Sequence, residues 1–196
     1  MRDRNGVASW VAARPSGSFF TVRDVPGSVR AVESSLSRLA GSTGPIHRVR
    51  QGLYWKRPPP TRFGTARPDP TDAAFAVAGA GAGLAGASAA NALGLSSQVS
   101  RKPIIAVVGR PPKGLHGVKF TSRSNPHRIV LNHLEVTLLE ALRDFPDHSE
   151  LDWSAARARI RRLVRDGRID LEKVAAVGAT ERRPGLADRI ADLVCA

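Results

Sequence analysis

The chain is short of several residues that would each point to a function. It holds one cysteine, Cys195, in 196 residues. A disulfide framework and a thiolate metal site within the chain are therefore excluded. No continuous apolar run follows Met1-Arg-Asp-Arg-Asn5, so no signal peptide is expected. The tract 73–95 has the length of a membrane span but is mostly alanine and glycine. It lacks the Leu, Ile and Phe that drive insertion. These absences predict a cytoplasmic protein with no membrane partner.

Acids are scarce as well: 17 Asp and Glu stand against 30 Lys and Arg, a net charge of +13. The imbalance is local. Residues 1–62 carry eleven basic and three acidic side chains, and residues 63–134 carry eight and two. Residues 135–196 carry eleven and twelve, close to neutral. A basic excess confined to the first two-thirds favours a polyanionic partner such as nucleic acid.

No catalytic constellation assembles. His47, His116, His127, His133 and His148 show no H-E-x-x-H or comparable metal spacing. No serine sits in a G-x-S-x-G elbow. Cys195 is penultimate, and Asp144, Asp147, Glu150 and Asp152 fall together only in an expected solvated loop. The expectation is a protein that is not an enzyme and uses no cofactor or metal.

What is present begins with helical spacing. Val7, Trp10 and Val11 set a first helix over 3–14, closed by Pro15 to Ser18. Thr21 and Asp24 form a T-x-x-D capping pattern that predicts a short second helix, ended by Pro26-Gly27. Ser28 opens a third helix to about Ala40, with Val29, Val32, Leu36 and Leu39 lining its core face. A step of about 100° per residue then turns Arg30, Ala31, Ser34 and Arg38 outward, with Glu33 between the faces. "IHRVRQGLYWKR" (46–57) reads as two strands around Gln51-Gly52, a hairpin with Gly52 at the turn.

Three short helices and a basic hairpin have the layout of a winged helix-turn-helix. Arg30 and Arg38 suit guanine edges in a major groove, Ser34 suits bases or phosphate, and Glu33 either reads a cytosine or braces the helix. Arg48, Arg50, Lys56 and Arg57 would grip phosphates from the hairpin or reach into the minor groove, while Trp55 or Tyr54 packs it onto the helices rather than stacking a base. With Thr21 and Ser37, these residues make up the candidate DNA-binding set: Thr21, Arg30, Ser34, Ser37, Arg38, Arg48, Arg50, Lys56 and Arg57.

Residues 58–71 contain five prolines, which predicts a DNA-binding domain over 1–60, a linker over 61–71 and a second domain over 72–196. In the second domain helices are expected at 72–77 and 85–93. Strands are expected at 102–109, 117–123 and 127–131. An amphipathic helix at 134–145 precedes helices at 153–165, 171–177 and 186–194. On the helix at 153–165, Arg159, Arg161, Arg162 and Arg165 face outward, either to touch a partner or to pair with local acids. The fold class is α+β.

"AVAGAGAGLAG" (76–86) spaces Gly81, Gly83 and Gly86 as G-x-G-x-x-G, the pattern of a dinucleotide-binding turn. That turn needs a strand before it and an acid about 20 residues beyond it. Residues 73–78 are alanine-rich, and no acid occurs between Asp72 and Glu135. The glycines read instead as a packing turn, with no nicotinamide cofactor.

"GSFFTVRDV", "AVESSLSRLA" and "IHRVRQGLYWKR" closely resemble the N-terminal winged helix of the AbiEi-type antitoxin and transcriptional-regulator family. The matching pieces are Phe20-Thr21, the L-S-R-L segment Leu36–Leu39 and the R-x-G-L-Y segment Arg50–Tyr54. "GLAGASAANALGLSSQV" (83–99) is similar to the family's Gly/Ala-rich helical stretch, so the resemblance covers most of 17–145 and weakens toward the C-terminus. It implies a repressor that binds inverted repeats of double-stranded DNA in its own promoter, within a type IV toxin–antitoxin system. The implied partner is a nucleotidyltransferase-like toxin, opposed without a stable complex, and the second domain would contribute to antitoxicity. A solitary regulator, an RNA-binding protein and an NAD-binding enzyme are the alternatives.

Overall fold

The structure is a computed structural model that describes residues 4–62 and 64–195. It is α+β, and the chain divides into two compact units, Met1–Val77 with Gly114–His116, and Ala78–Lys113 with Gly117–Ala196.

In the first unit, α1 (Arg4–Ala13), β1 (Phe19–Thr21), a 3-10 turn (Val22–Asp24) and α2 (Val29–Leu39) precede a hairpin of β2 (Ile46–Arg50) and β3 (Leu53–Lys56). β3 lies between β1 and β2, antiparallel to both. The chain reverses at Gly52, whose φ of 77° lies in the left-handed region open to glycine. One core serves these elements: Val7 and Val11 of α1, Phe20 of β1, Val32 and Leu36 of α2, Ile46 and Tyr54. Trp10 meets Phe20 edge-on at 5.3 Å, and Phe20 stacks on Tyr54 at 5.9 Å. Fully burying a side chain such as Leu36 stabilises the unit by about 1.5–3 kcal/mol.

Two expectations change here. The helix predicted after Thr21 is only a three-residue 3-10 turn, because Phe19–Thr21 pairs with β3 as a strand. Asp24 closes that turn by accepting from the Thr21 N–H at 2.6 Å and from its hydroxyl at 2.9 Å. Val29, expected in the core, is 60% exposed. The buried stripe of α2 runs through Val32, Leu36 and the half-buried Leu39, and Val29 in the first turn lies beyond its edge.

α3 (Pro70–Ala78) leads into the second unit, where β4 (Gly83–Leu84), α4 (Gly86–Ala92), β5 (Ile104–Val108) and β6 (Lys119–Arg123) come first. β5 is central, antiparallel to β4 and parallel to β6. α5 (His133–Arg143), α6 (Trp153–Arg165), α7 (Leu171–Gly178) and α8 (Leu186–Val194) complete it. The glycine run thus follows a helix rather than a strand. A side chain at Gly83 would meet the Thr137 backbone nitrogen at 2.7 Å and the His133 carbonyl at 2.8 Å. Only glycine lets β4 lie this close to α5.

The amphipathic helix expected at 134–145 is α5, and it is buried on all sides: every residue from Glu135 to Leu142 is buried. Its polar groups are therefore paired, as buried polar groups must be. Thr137 donates to the His133 carbonyl and accepts from the Leu84 N–H. Glu135 accepts from the backbone nitrogens of Asn132 and Asp170. Glu140 accepts from Arg123 at 2.6 and 2.9 Å and from Arg128 at 2.5 Å.

Arg128 overturns the strand predicted at 127–131. The segment Pro126–Val130 is a 3-10 helix, with Pro126 in its first turn and the Asn125 side chain capping the His127 N–H. The turn carries the fully buried Arg128 between Glu140 and Glu181, which it meets at 2.5 and 2.6 Å. Glu181 also accepts from Arg143 at 2.9 Å and from Asn125 at 3.0 Å.

Burial pushes the Glu181 carboxyl up, but the bonds from Arg128 and Asn125 and the charges of Arg128 and Arg143 outweigh it and hold the group below its ordinary value. A carboxyl depressed by folding adds stability above its unfolded pKa, about 4.3 for Glu, and that stability is lost as pH falls through the lower folded value. Thermal melting measured from pH 7 downward should therefore drop in the acid range. Glu181→Gln should melt lower at pH 7 and lose less on acidification.

Candidate nucleic-acid interface

With Val32 and Leu36 fixed in the core, Arg30, Ser34 and Ser37 lie along the centre of the outer face of α2. Glu33 and Arg38 flank that line on opposite sides, and all five are exposed. Glu33 is exposed at the margin of the outer face, and Ala31, expected on that face, is half-buried. Arg38 lies along its own helix, its Nε donating to the Ser34 carbonyl at 3.2 Å and its Nη2 to the Ser35 hydroxyl at 3.4 Å. Such bonds between exposed groups are weak enough to exchange for a ligand.

The four hairpin cations divide by role. Arg48 is exposed, and Arg50 and Lys56 are half-buried. β2 is irregular between Arg48 and Arg50. Arg57 instead braces the base of the hairpin: its Nε donates to the Ile46 carbonyl at 3.1 Å and its Nη1 to the Ser42 carbonyl at 3.1 Å. Trp55 and Tyr54 are buried, and the Trp55 indole donates to the Gly17 carbonyl at 2.9 Å. Tyr54 packs into the core that the helices share, while Trp55, next along β3, points to the other side of the sheet. Thr21 is committed to Asp24 within the preceding turn.

Sequence reasoning missed two features of this unit. Arg14 lies over the Trp10 ring at 4.1 Å, a cation–π contact between the end of α1 and the core aromatics. His47 stands beside Arg57; burial and the charges of Arg57 and Arg67 hold its imidazole below the ordinary value.

In the second unit, two of the four outward arginines of α6 are engaged locally. Arg159 donates to the Leu93 carbonyl at 3.3 Å, and Arg161 donates to the Asp192 carbonyl at 3.1 Å. Arg162 and Arg165 are exposed. Glu150, expected in a solvated loop, holds the 96–97 segment by accepting from the Ser97 N–H and both serine hydroxyls. No group of three or more His, Cys, Asp or Glu placed to hold a metal occurs among the described residues, and none of their helices is long and apolar enough to cross a membrane.

The two classes of hairpin cation separate by stability. Arg57→Ala should lower the unfolding free energy by about 1–3 kcal/mol through its lost carbonyl bonds. Arg48→Ala should change it by less than about 0.5 kcal/mol. Denaturant titration of both variants reads the difference.

No family model matches the chain, and no curated protein matches it. Among solved structures, the chain is similar to the RV2827C protein from Mycobacterium tuberculosis, at 20% identity and a TM-score of 0.49, over 96% of this chain and 74% of that one.

Proposed function

We propose that the chain is a sequence-specific, non-catalytic DNA-binding repressor whose first unit acts as a winged helix-turn-helix. The observation that carries this reading is the outer face of α2, where Arg30, Ser34, Ser37 and Arg38 stand exposed on a helix anchored by Val32 and Leu36. A helix fixed on one side and bearing guanidiniums and hydroxyls on the other matches the donor and acceptor pattern of major-groove base edges. Arg48 on the hairpin would add phosphate contacts, which supply affinity more than sequence choice.

The resemblance to AbiEi-type regulators extends the proposal. On that reading the protein represses its own operon from inverted repeats and serves in the cytoplasm as the antitoxin of a nucleotidyltransferase-like toxin.

Fluorescence anisotropy with the DNA upstream of its own gene and with a scrambled duplex, over a salt series, tests the proposal. The upstream DNA should bind more tightly at physiological salt. Arg38→Ala should weaken that binding by about 1–3 kcal/mol and leave the scrambled duplex nearly unchanged. Arg48→Ala should weaken both and reduce the salt slope by about 1. Equal affinity for the two duplexes would rule out the repressor, and equal losses from the two variants would rule out the groove assignment.

A further inference from the structure

A second cationic feature of the first unit lies away from the outer face of α2. Arg57 leaves β3 and turns inward, committing Nε and Nη1 to the carbonyls of Ile46 and Ser42. Its remaining nitrogen, Nη2, lies 3.5 Å from His47 Nδ1. A guanidinium only donates, so Nδ1 accepts and the proton of the neutral imidazole sits on Nε2. Burial and the neighbouring guanidiniums favour that neutral form. His47 is thus fixed as an N–H donor on the side away from Arg57.

Around this pair, Ser42, Thr65, Arg67 and His116 complete an open hollow of about 690 Å³, and no carboxylate is among its described lining residues. A neighbouring hollow of about 540 Å³ shares Ser42, Arg57 and Thr65 and adds Arg14 and Lys56, again without a carboxylate. Cations gathered without a counter-charge repel one another, and an anion bound among them relieves that repulsion. The shape of the donor set narrows the anion. A planar carboxylate is satisfied by the fork of one guanidinium. Here the donors come from four separate places, β2, the end of β3, the 65–67 segment and His116, more than one planar carboxylate uses and enough for the several oxygens of a phosphate. These donors address the phosphate group alone.

We propose that this hollow is a phosphate-binding site, taking the phosphate group of a nucleotide or of a nucleic-acid strand on Arg57, Arg67 and the His47 Nε2–H, with Ser42 and Thr65 as hydroxyl donors. It is separate from the base-reading face of α2 and stands whether or not that face reads DNA.

Nitrogen-15 NMR of the histidine rings in the full chain, at neutral pH and constant ionic strength, tests it. The probes are inorganic phosphate, adenosine monophosphate and a short DNA duplex. The His47 and His116 signals should move saturably while those of His127, His133 and His148 stay in place. Arg67→Gln, at an exposed position, should keep the melting temperature and weaken the response about tenfold, the loss of one charge-assisted hydrogen bond. His116→Gln should weaken it as well.

Saturation by inorganic phosphate and the mononucleotide supports the site and marks a small phosphate as the source. Saturation by the duplex alone supports it and marks the strand backbone. Three probes that leave His47 and His116 unmoved, an equal response to sodium chloride, or an undiminished response in Arg67→Gln would each overturn the site. None of these outcomes bears on whether the upstream DNA binds more tightly than a scrambled duplex.

Discussion

A guanidinium with no exposed side-chain surface, that of Arg128, has to be compensated where it stands, because a buried charge without partners costs several kcal/mol. Glu140 on α5 and Glu181 beyond α7 supply that compensation, and Arg123 and Arg143 close the network around them. Much of the second unit follows. The 126–130 segment must turn to deliver the arginine, and α5 must run through the interior to present Glu140. A side chain at Gly81 would stand 3.1 Å from the Arg128 backbone carbonyl, so the residue there has to be small.

The same demand governs how acids are used. In the second unit Glu135 caps two backbone nitrogens, Glu150 holds two serines, and Asp192 binds Trp153 and Arg157. The first unit has few acids, and two of the described ones serve backbone geometry. Asp24 closes the turn after β1, and Asp69 accepts from the backbone of Thr71 and Asp72. Its arginines thus keep a net positive field, the condition for attracting a polyanion. Within that field the outer face of α2 and the hollow beside Arg57 differ in kind. One offers a row of mixed donors and acceptors on a helix; the other offers converging donors alone.

Elements held by local pattern were readable in the sequence. The limits of α6 and α8 agree with the apolar periodicity, and the hairpin follows from two β-prone runs around Gly52. The glycine run, freed from a dinucleotide reading by its missing acid, packs β4 against α5 through Gly83 as its small residues implied. What escaped depends on partners distant in the chain. Arg128 and Glu181 lie 53 residues apart, and no local pattern joins them, so "HRIVL" reads as a strand on its β-branched residues alone. The burial of Glu135 and Glu140 likewise escaped, because a lone sequence does not show that each acid has an internal donor. The candidate face of α2 was legible, with Val29 and Ala31 displaced by where the core stripe falls. The inward turn of Arg57 was not, since it depends on the carbonyls of Ile46 and Ser42.

The central claim is that α2 presents its outer face to base edges in a major groove. Dimethyl sulfate protection of the upstream duplex tests it most directly, because guanine N7 is exposed only in that groove. The account predicts guanines protected in each half of an inverted repeat by the native chain, with protection lost in Arg30→Ala or Arg38→Ala under conditions where the duplex stays bound. Full methylation of every guanine in a saturated complex would contradict it.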